Sequence, residues 1–215
     1  MGVFRRLFAV IAFIGAILSG IASASAHPHV WVTAASELLY GADGTITGVR
    51  HTWTFDEMFS TFALQGIESK TKGVYTREDL VPLAQTNVES LKEYDFFTYA
   101  RASKKKQLFT DPVDYYLEHK NGALVLHFTL PFKTPFKASQ LSFEIYDPSY
   151  FVEFALQKQD PFQLVGGPQD CKIEIKRPEE STAPGTQTLN EDSFLNNENE
   201  NMGAQFANKI AVNCP

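Results

Sequence analysis

Cysteine is nearly absent: the 215 residues contain two, Cys171 and Cys214, with no C-x-x-C spacing. That argues against the two thiolates acting as soft metal ligands. Cationic side chains are also scarce, 19 Lys and Arg against 25 Asp and Glu, and a formal charge of −6 disfavours nucleic acid as a partner. The chain has no Gly-x-Ser-x-Gly elbow, no His-Glu-x-x-His and no phosphate-binding loop, so hydrolase and nucleotide-using classes have no support and no residue is assigned a catalytic role. Aromatic residues, by contrast, are plentiful. Eighteen Phe bring the aromatic share to 13%, which disfavours an all-helical bundle and suits a strand-rich core.

Residues 1–26 read as a secretory signal peptide. Arg5 and Arg6 open it, Leu7 to Leu18 form an apolar stretch, and Ala22-Ser23-Ala24-Ser25-Ala26 supplies a small-residue cleavage site. The apolar stretch is shorter than the roughly 20 residues of a membrane span. Arg5-Arg6 partly fits a twin-arginine signal as well. Cleavage would leave residues 27–215 as a single β-rich periplasmic domain and shift the formal charge from −6 to −8, since two arginines and no acid are lost. In that oxidising compartment Cys171 and Cys214 are expected to pair, closing a loop of about 44 residues and tethering the C-terminal segment.

The periodicity predicts an α+β fold: a mainly antiparallel, Ig-like β-sandwich carrying a two-helix insertion at about 56–94 and a disulfide-tethered C-terminal segment. Val30 to Tyr40 and Thr45 to Phe55 flank the turn Gly41-Ala42-Asp43-Gly44 and read as a hairpin. Met58, Phe59, Phe62, Ala63 and Ile67 recur at helical spacing, and a second helix is expected from Thr76, with Pro82 in its first turn. Further strands are expected at Phe96–Ala102, Gln107–Phe109, Tyr115–Glu118, Leu124–Leu130, Leu141–Tyr146, Tyr150–Leu156 and Cys171–Lys176. A polar loop covers about 177–205, with a short helix around Asp192 to Phe206, and Lys209 to Val212 is expected as an edge strand.

The chemistry concentrates at the processed N-terminus. Cleavage after Ala26 would put an α-amine and an imidazole on His27, both easily deprotonated near neutral pH. Pro28 lacks an amide N–H, and an extended chain directs His27, His29 and Trp31 to one face, so His29 can approach an ion held by His27. Such nitrogen donors suit a divalent transition metal, Ni, Co, Zn or Cu, rather than Ca²⁺ or Mg²⁺. Cleavage after Ala24 would instead give Ser25-Ala26-His27, a square-planar set for Cu(II) or Ni(II). The bland alternative is that both histidines merely begin a solvated strand.

His51, on the second strand of the hairpin, becomes a further ligand if its face matches that of His29, with Asp56 or Glu57 as an oxygen ligand or as an acceptor for an imidazole N–H. A polar core histidine is the competing reading. His127 shares a face with Val125 and Thr129 and is expected to be hydrogen-bonded, while His119, before a turn, is expected to be exposed. Glu68 to Asp79 has the length of an EF-hand loop, but Lys70 and Lys72 stand where oxygen ligands belong, so an ordinary helix connection is expected.

His27-Pro28-His29-Val30-Trp31, Trp53-Thr54-Phe55-Asp56-Glu57-Met58-Phe59-Ser60, Tyr146-Asp147-Pro148-Ser149-Tyr150 and Asn213-Cys214-Pro215 together resemble a bacterial domain-of-unknown-function family. Its members are labelled periplasmic components of an uncharacterised ABC-type transport system and are found beside nickel/cobalt permeases. Members often carry an acidic loop between the two helices, from which Lys70 and Lys72 depart. The resemblance implies a metal-transport accessory with an inner-membrane metal permease as partner. A two-lobed solute receptor does not fit the strand-rich pattern. Two rival functions are a metal-free permease-interaction module and a histidine-brace copper oxidoreductase, the latter on ligand likeness alone.

Overall fold

The first hairpin among the described residues forms because its turn is chemically specified. Gly44 adopts φ +77°, and Asp43 accepts hydrogen bonds from the Thr45 N–H at 3.0 Å and the Thr45 hydroxyl at 2.7 Å. It joins β1 (Val30–Tyr40) to β2 (Ile46–Phe55) in the computed structural model, which describes residues 28–178 and 201–215. The expected signal peptide, His27 and most of the polar loop lie outside the described residues.

Two helices follow, α1 (Glu57–Ala63) and α2 (Val81–Leu91), with Pro82 in the first turn of α2, where its missing N–H does no harm. The remaining strands are β3 (Thr98–Ala102), β4 (Lys105–Gln107), β5 (Val113–Lys120), β6 (Ala123–Phe136), β7 (Gln140–Ile145), β8 (Val152–Leu156), β9 (Phe162–Val165), β10 (Lys172–Lys176) and β11 (Asn208–Asn213). They form two sheets. The first has the order β5-β6-β2-β1-β8, with β9 also pairing β1, and the second runs β10-β11-β7-β3-β4. Pairing is antiparallel except where β1 meets β8 and β9, which it does in parallel.

The protein is therefore mostly β, sandwich-like, with two helices. Alternation places Val32, Ala34 and Leu38 of β1 and Val49, Trp53 and Phe55 of β2 in the core, where Trp53 packs edge-on to Phe128 and Phe154, ring centroids 4.8 Å apart in both pairs. Phe143 of the second sheet meets Phe132 and Phe162 of the first, which joins the two apolar faces.

Three expectations are corrected. β11 is interior rather than an edge strand, because both its sides are paired, one to β10 and one to β7. β6 runs on through Pro131 to Phe136, past the expected end at Leu130. Pro131 is accommodated opposite Gly48, where a Cβ would lie 2.7 Å from the Leu130 carbonyl oxygen, and the pairing register shifts nearby. The short strand expected at Gln107–Phe109 is displaced into the lysine run as β4, and Phe109 makes only an isolated bridge to Phe132. Of the helix expected around Asp192 to Phe206, the described part is a 3-10 turn at Met202–Phe206. The expected disulfide joins Cys171 and Cys214.

Candidate functional site

His29 stands at the entry to β1, and backbone pairing fixes it there. The His29 N–H donates to the Phe151 carbonyl at 2.9 Å, the Val30 N–H reaches the same oxygen at 3.2 Å, and the imidazole packs on the Phe151 ring with centroids 4.8 Å apart. Two residues on, Trp31 is bound to Asp56 from both directions: its N–H donates to Asp56 Oδ2 at 2.9 Å, and its carbonyl accepts from the Asp56 N–H at 3.0 Å. Asp56 is also the N-cap of α1, its Oδ1 accepting from the Phe59 N–H at 2.8 Å.

A carboxylate that caps a helix and pins a strand serves both elements. Asp56→Ala is expected to cost about 1–2 kcal/mol by the usual cap deletion values, and Asp56→Asn distinctly less. Urea unfolding of the two variants checks this.

Phe151 is presented by a loop organised around a second carboxylate. Asp147, buried, accepts from the Ser149 N–H and hydroxyl, each at 2.8 Å, and from the Val152 N–H at 2.9 Å. Gly203 seals the other side of this loop: a Cβ there would fall 1.7 Å from the Asp147 carbonyl oxygen, so only glycine permits the approach. Thus His29-Val30-Trp31, Phe55-Asp56 and Tyr146 to Phe151, three stretches distant in sequence, meet at one end of the first sheet. His29 is exposed there, with Trp31 and Phe151 43% and 46% exposed beside it.

His51 is not part of this cluster. It pairs opposite Ser36, seven strand residues from His29, or about 23 Å at the usual rise per residue. It is 0% exposed, held between the Ser36 hydroxyl at 2.8 Å and the Thr98 hydroxyl at 3.3 Å, with the rings of Trp53 and Phe128 against it. Burial pushes its pKa down to about 3. The condition set for His51 as a further ligand, a face shared with His29, is not met: His51 shares the apolar face of Val49, Trp53 and Phe55, as the competing reading of a polar core histidine has it. Asp56 lies with the His29 end and not with His51, five residues or about 17 Å along β2.

His127 lies on the outer face of the first sheet, stacked on Tyr116 at 4.5 Å, its Nδ1 3.3 Å from the Thr52 hydroxyl. Its Nε2 is 3.4 Å from Glu118, which also pairs with Arg77; burial lowers the His127 pKa and the Glu118 charge opposes that shift. His119 is half-buried rather than exposed, because the Tyr75 ring meets it edge-on at 5.3 Å. Between the helices, Gly73 turns the chain at φ +78°, and Asp79 accepts from the Thr76 N–H and hydroxyl, each at 2.9 Å. Asp79 is thus engaged with the start of the following turn.

Among the described residues no group of three or more His, Cys, Asp or Glu side chains is arranged to hold a metal ion. His27 lies outside them. Glu153 escaped sequence reasoning. Alternation in Tyr150–Leu156 marks it as opposite in face to Phe154 and Leu156, but only the parallel register, Trp31 against Glu153, brings it to the His29 end. Among the described residues, no helix is long and apolar enough to cross a membrane.

A family model described as "Protein of unknown function (DUF1007)" matches residues 12–214. An "Uncharacterized protein" of Haemophilus influenzae is 22% identical over 192 residues, covering 88% of this chain and 91% of that protein.

Proposed function

This chain belongs to the family of unknown function DUF1007, and from that premise and its own residues we propose that it is a periplasmic, non-enzymatic accessory of a metal transport system. It binds a divalent transition ion, nickel or cobalt foremost and zinc or copper as the alternatives, and works beside an inner-membrane permease. The ligands are the α-amine and imidazole of His27, freed by removal of residues 1–26, together with His29. Asp56 serves by holding the strand entry. His51 is left out because it is sealed in the core.

One observation carries the reading: His29 is exposed at a strand entry anchored by Phe151 and, through Trp31, by Asp56. A preorganised donor loses less freedom on binding than one on a free chain end. The exported location is supported by the leader-like residues 1–26 and by the Cys171–Cys214 bond. An Ig-like description of the sandwich belongs to the same proposal, supported by its two facing sheets and by Trp53 at its centre.

The test is titration with Ni²⁺ and Cu²⁺ of protein whose first residue has been established by intact mass. Natively processed protein is compared with a form retaining one extra N-terminal residue and with His29→Ala. Each change is expected to weaken binding by about tenfold or more, since disturbing even the groups that support a metal's ligands costs on that scale. Equal affinity in all three overturns the proposal.

A metal-free permease-interaction module is the second reading. It is favoured by the exposed apolar side chains Met58 and Phe62, 66% and 68% accessible, on the outer side of α1. Co-purification of a permease from metal-depleted cells, with transport undiminished by changes at His27 and His29, selects it.

A further inference from the structure

Strand register composes the outer face of the second sheet. β3, β7 and β11 set Arg101, Ser142 and Ala211 side by side in one row, and β7 and β11 set Gln140 beside Asn213 in the next, two residues along and on the same face. The alternating residues Ala100, Leu141, Phe143, Ile210 and Val212 are buried, so these rows point away from the core. Ser142 and Ala211 are short, and the depression over them is a cavity of about 700 Å³, lined also by Ser103 and Lys104 of the turn between β3 and β4. Cavities of roughly 300–1,000 Å³ are the size that holds small-molecule ligands.

Every polar side chain lining this cavity can donate a hydrogen bond. Among the described residues, Arg101, Ser103, Lys104, Gln140, Ser142 and Asn213 make no side-chain hydrogen bond or ion pair with the rest of the protein. The lining carries two cations and no carboxylate, on a chain whose acids outnumber its bases 25 to 19. The acids elsewhere on this face have cations beside them: Glu144 pairs with Lys209 at 3.7 Å, and Glu174, opposite Ala211, has Lys172 and Lys176 two residues to either side. The turn is a separate sign. Ala102 pairs with Lys105, so Ser103 and Lys104 form a two-residue loop, and both take positive φ, 49° and 67°. Asn-Gly or Gly-Gly fits that geometry without strain, whereas a lysine there costs folding stability, and this strained lysine is the one that lines the cavity.

We propose that this cavity binds a small soluble oxyanion, through a carboxylate or phosphate group, with the Arg101 guanidinium as the principal anchor and Lys104 as the second cation. A guanidinium fork meets either group with two parallel hydrogen bonds. The hydroxyls of Ser103 and Ser142 and the amides of Gln140 and Asn213 supply neutral donors for the remaining oxygens. A solute fits better than an anionic bilayer, because the surplus of acids on the chain opposes its approach to a surface of the same sign. The residues all belong to β3, β7, β11 and one turn, so the assignment is independent of the metal-binding reading.

The experiment titrates the folded protein at low ionic strength with inorganic phosphate and, separately, with citrate, following backbone amide shifts by NMR and heat by calorimetry. Vesicles of phosphatidylglycerol in phosphatidylcholine form a third arm. Saturable shifts are expected in the strand ends and turn that line the cavity. Arg101→Gln is expected to raise Kd by about tenfold or more, the scale of a hydrogen bond between charged groups. Lys104→Gly is expected to weaken binding while raising the urea midpoint, since it removes a cation and relieves the left-handed backbone; a purely structural residue would not move the two in opposite directions. Lys158→Gln, which removes a cation outside the cavity, should leave Kd unchanged. Circular dichroism establishes that each variant is folded. The proposal is overturned if neither soluble anion binds saturably, if Lys158→Gln weakens binding as much as Arg101→Gln, or if the protein binds the vesicles and neither soluble anion.

Discussion

Acidification from pH 6.5 to about 3 is expected to remove about 5 kcal/mol of folding stability through His51 alone, from its depressed pKa of about 3 and the conversion of pKa shift to free energy. The cause is local. His51 is fully buried, and among the described residues its ring nitrogens face two hydroxyls and no carboxylate. The Thr98 hydroxyl donates to the Phe96 carbonyl at 2.9 Å, which leaves its oxygen to accept from Nε2–H, so Nδ1 takes the Ser36 hydroxyl proton. Both ring positions are satisfied by the neutral imidazole; this tautomer is assigned from the hydrogen-bond network.

The sign follows from proton counting. Between pH 6.5 and about 3 the unfolded chain carries a proton on His51 and the folded one does not, so stability falls as pH falls, by up to about 1.4 kcal/mol per unit. Above 6.5 the contribution is constant and fully present. Urea unfolding at pH 7.5, 6, 5 and 4 measures it. Because carboxylates add their own pH dependence, the comparison is with His51→Gln, a neutral residue able to hydrogen-bond Ser36 and Thr98. The wild type should lose stability more steeply than this variant below pH 6.5. Parallel pH curves for the two would show that His51 is not the group responsible.

Replacing both Cys171 and Cys214 by serine is expected to cost about 4 kcal/mol, the chain-entropy value for a closed loop of this size. The separation is 43 residues, and the bond lies just beyond the last pair of the β10–β11 ladder, Lys172 with Asn213. β10 is an edge strand with exposed residues along much of its length, so it contributes little apolar burial with which to hold itself. Loss of the bond should therefore appear first as faster amide exchange in β10, and then as a lower urea midpoint for the whole domain. A midpoint shift equivalent to under about 1 kcal/mol would mean that the unfolded chain already keeps these ends together, as residual structure can do.

The sequence disclosed most where the determinants were local. Gly41 to Gly44 and the alternation on either side specify the β1–β2 hairpin, and Pro82 marks the start of α2. It disclosed least where pairing was remote. β11 looked like an edge because its partners, β7 and β10, come from separate segments, and β9 is only four residues long. The His51 environment was open to reading: Val49, Trp53 and Phe55 share its face, and a histidine amid that stripe belongs to the core. Glu153 was not, since nothing near Tyr150 to Leu156 states that this strand runs parallel to the first one. That pairing, together with the hairpin, brings His29-Val30-Trp31, Phe55-Asp56 and Tyr146 to Phe151 to one corner, although their spacing along the chain gives no hint of it.

The parallel contacts of β1 have a consequence for assembly. As the chain is delivered from its N-terminus, β1 can meet β2 early, but Val152 to Leu156 and Phe162 to Val165 lie more than a hundred residues beyond the end of β1. Such high contact order slows folding, because long loops must close before the contact repays their lost entropy. The His29 corner is thus a late product of folding, built when Phe151 docks, and a C-terminally truncated chain would carry His29 without the Phe151 contact that anchors it.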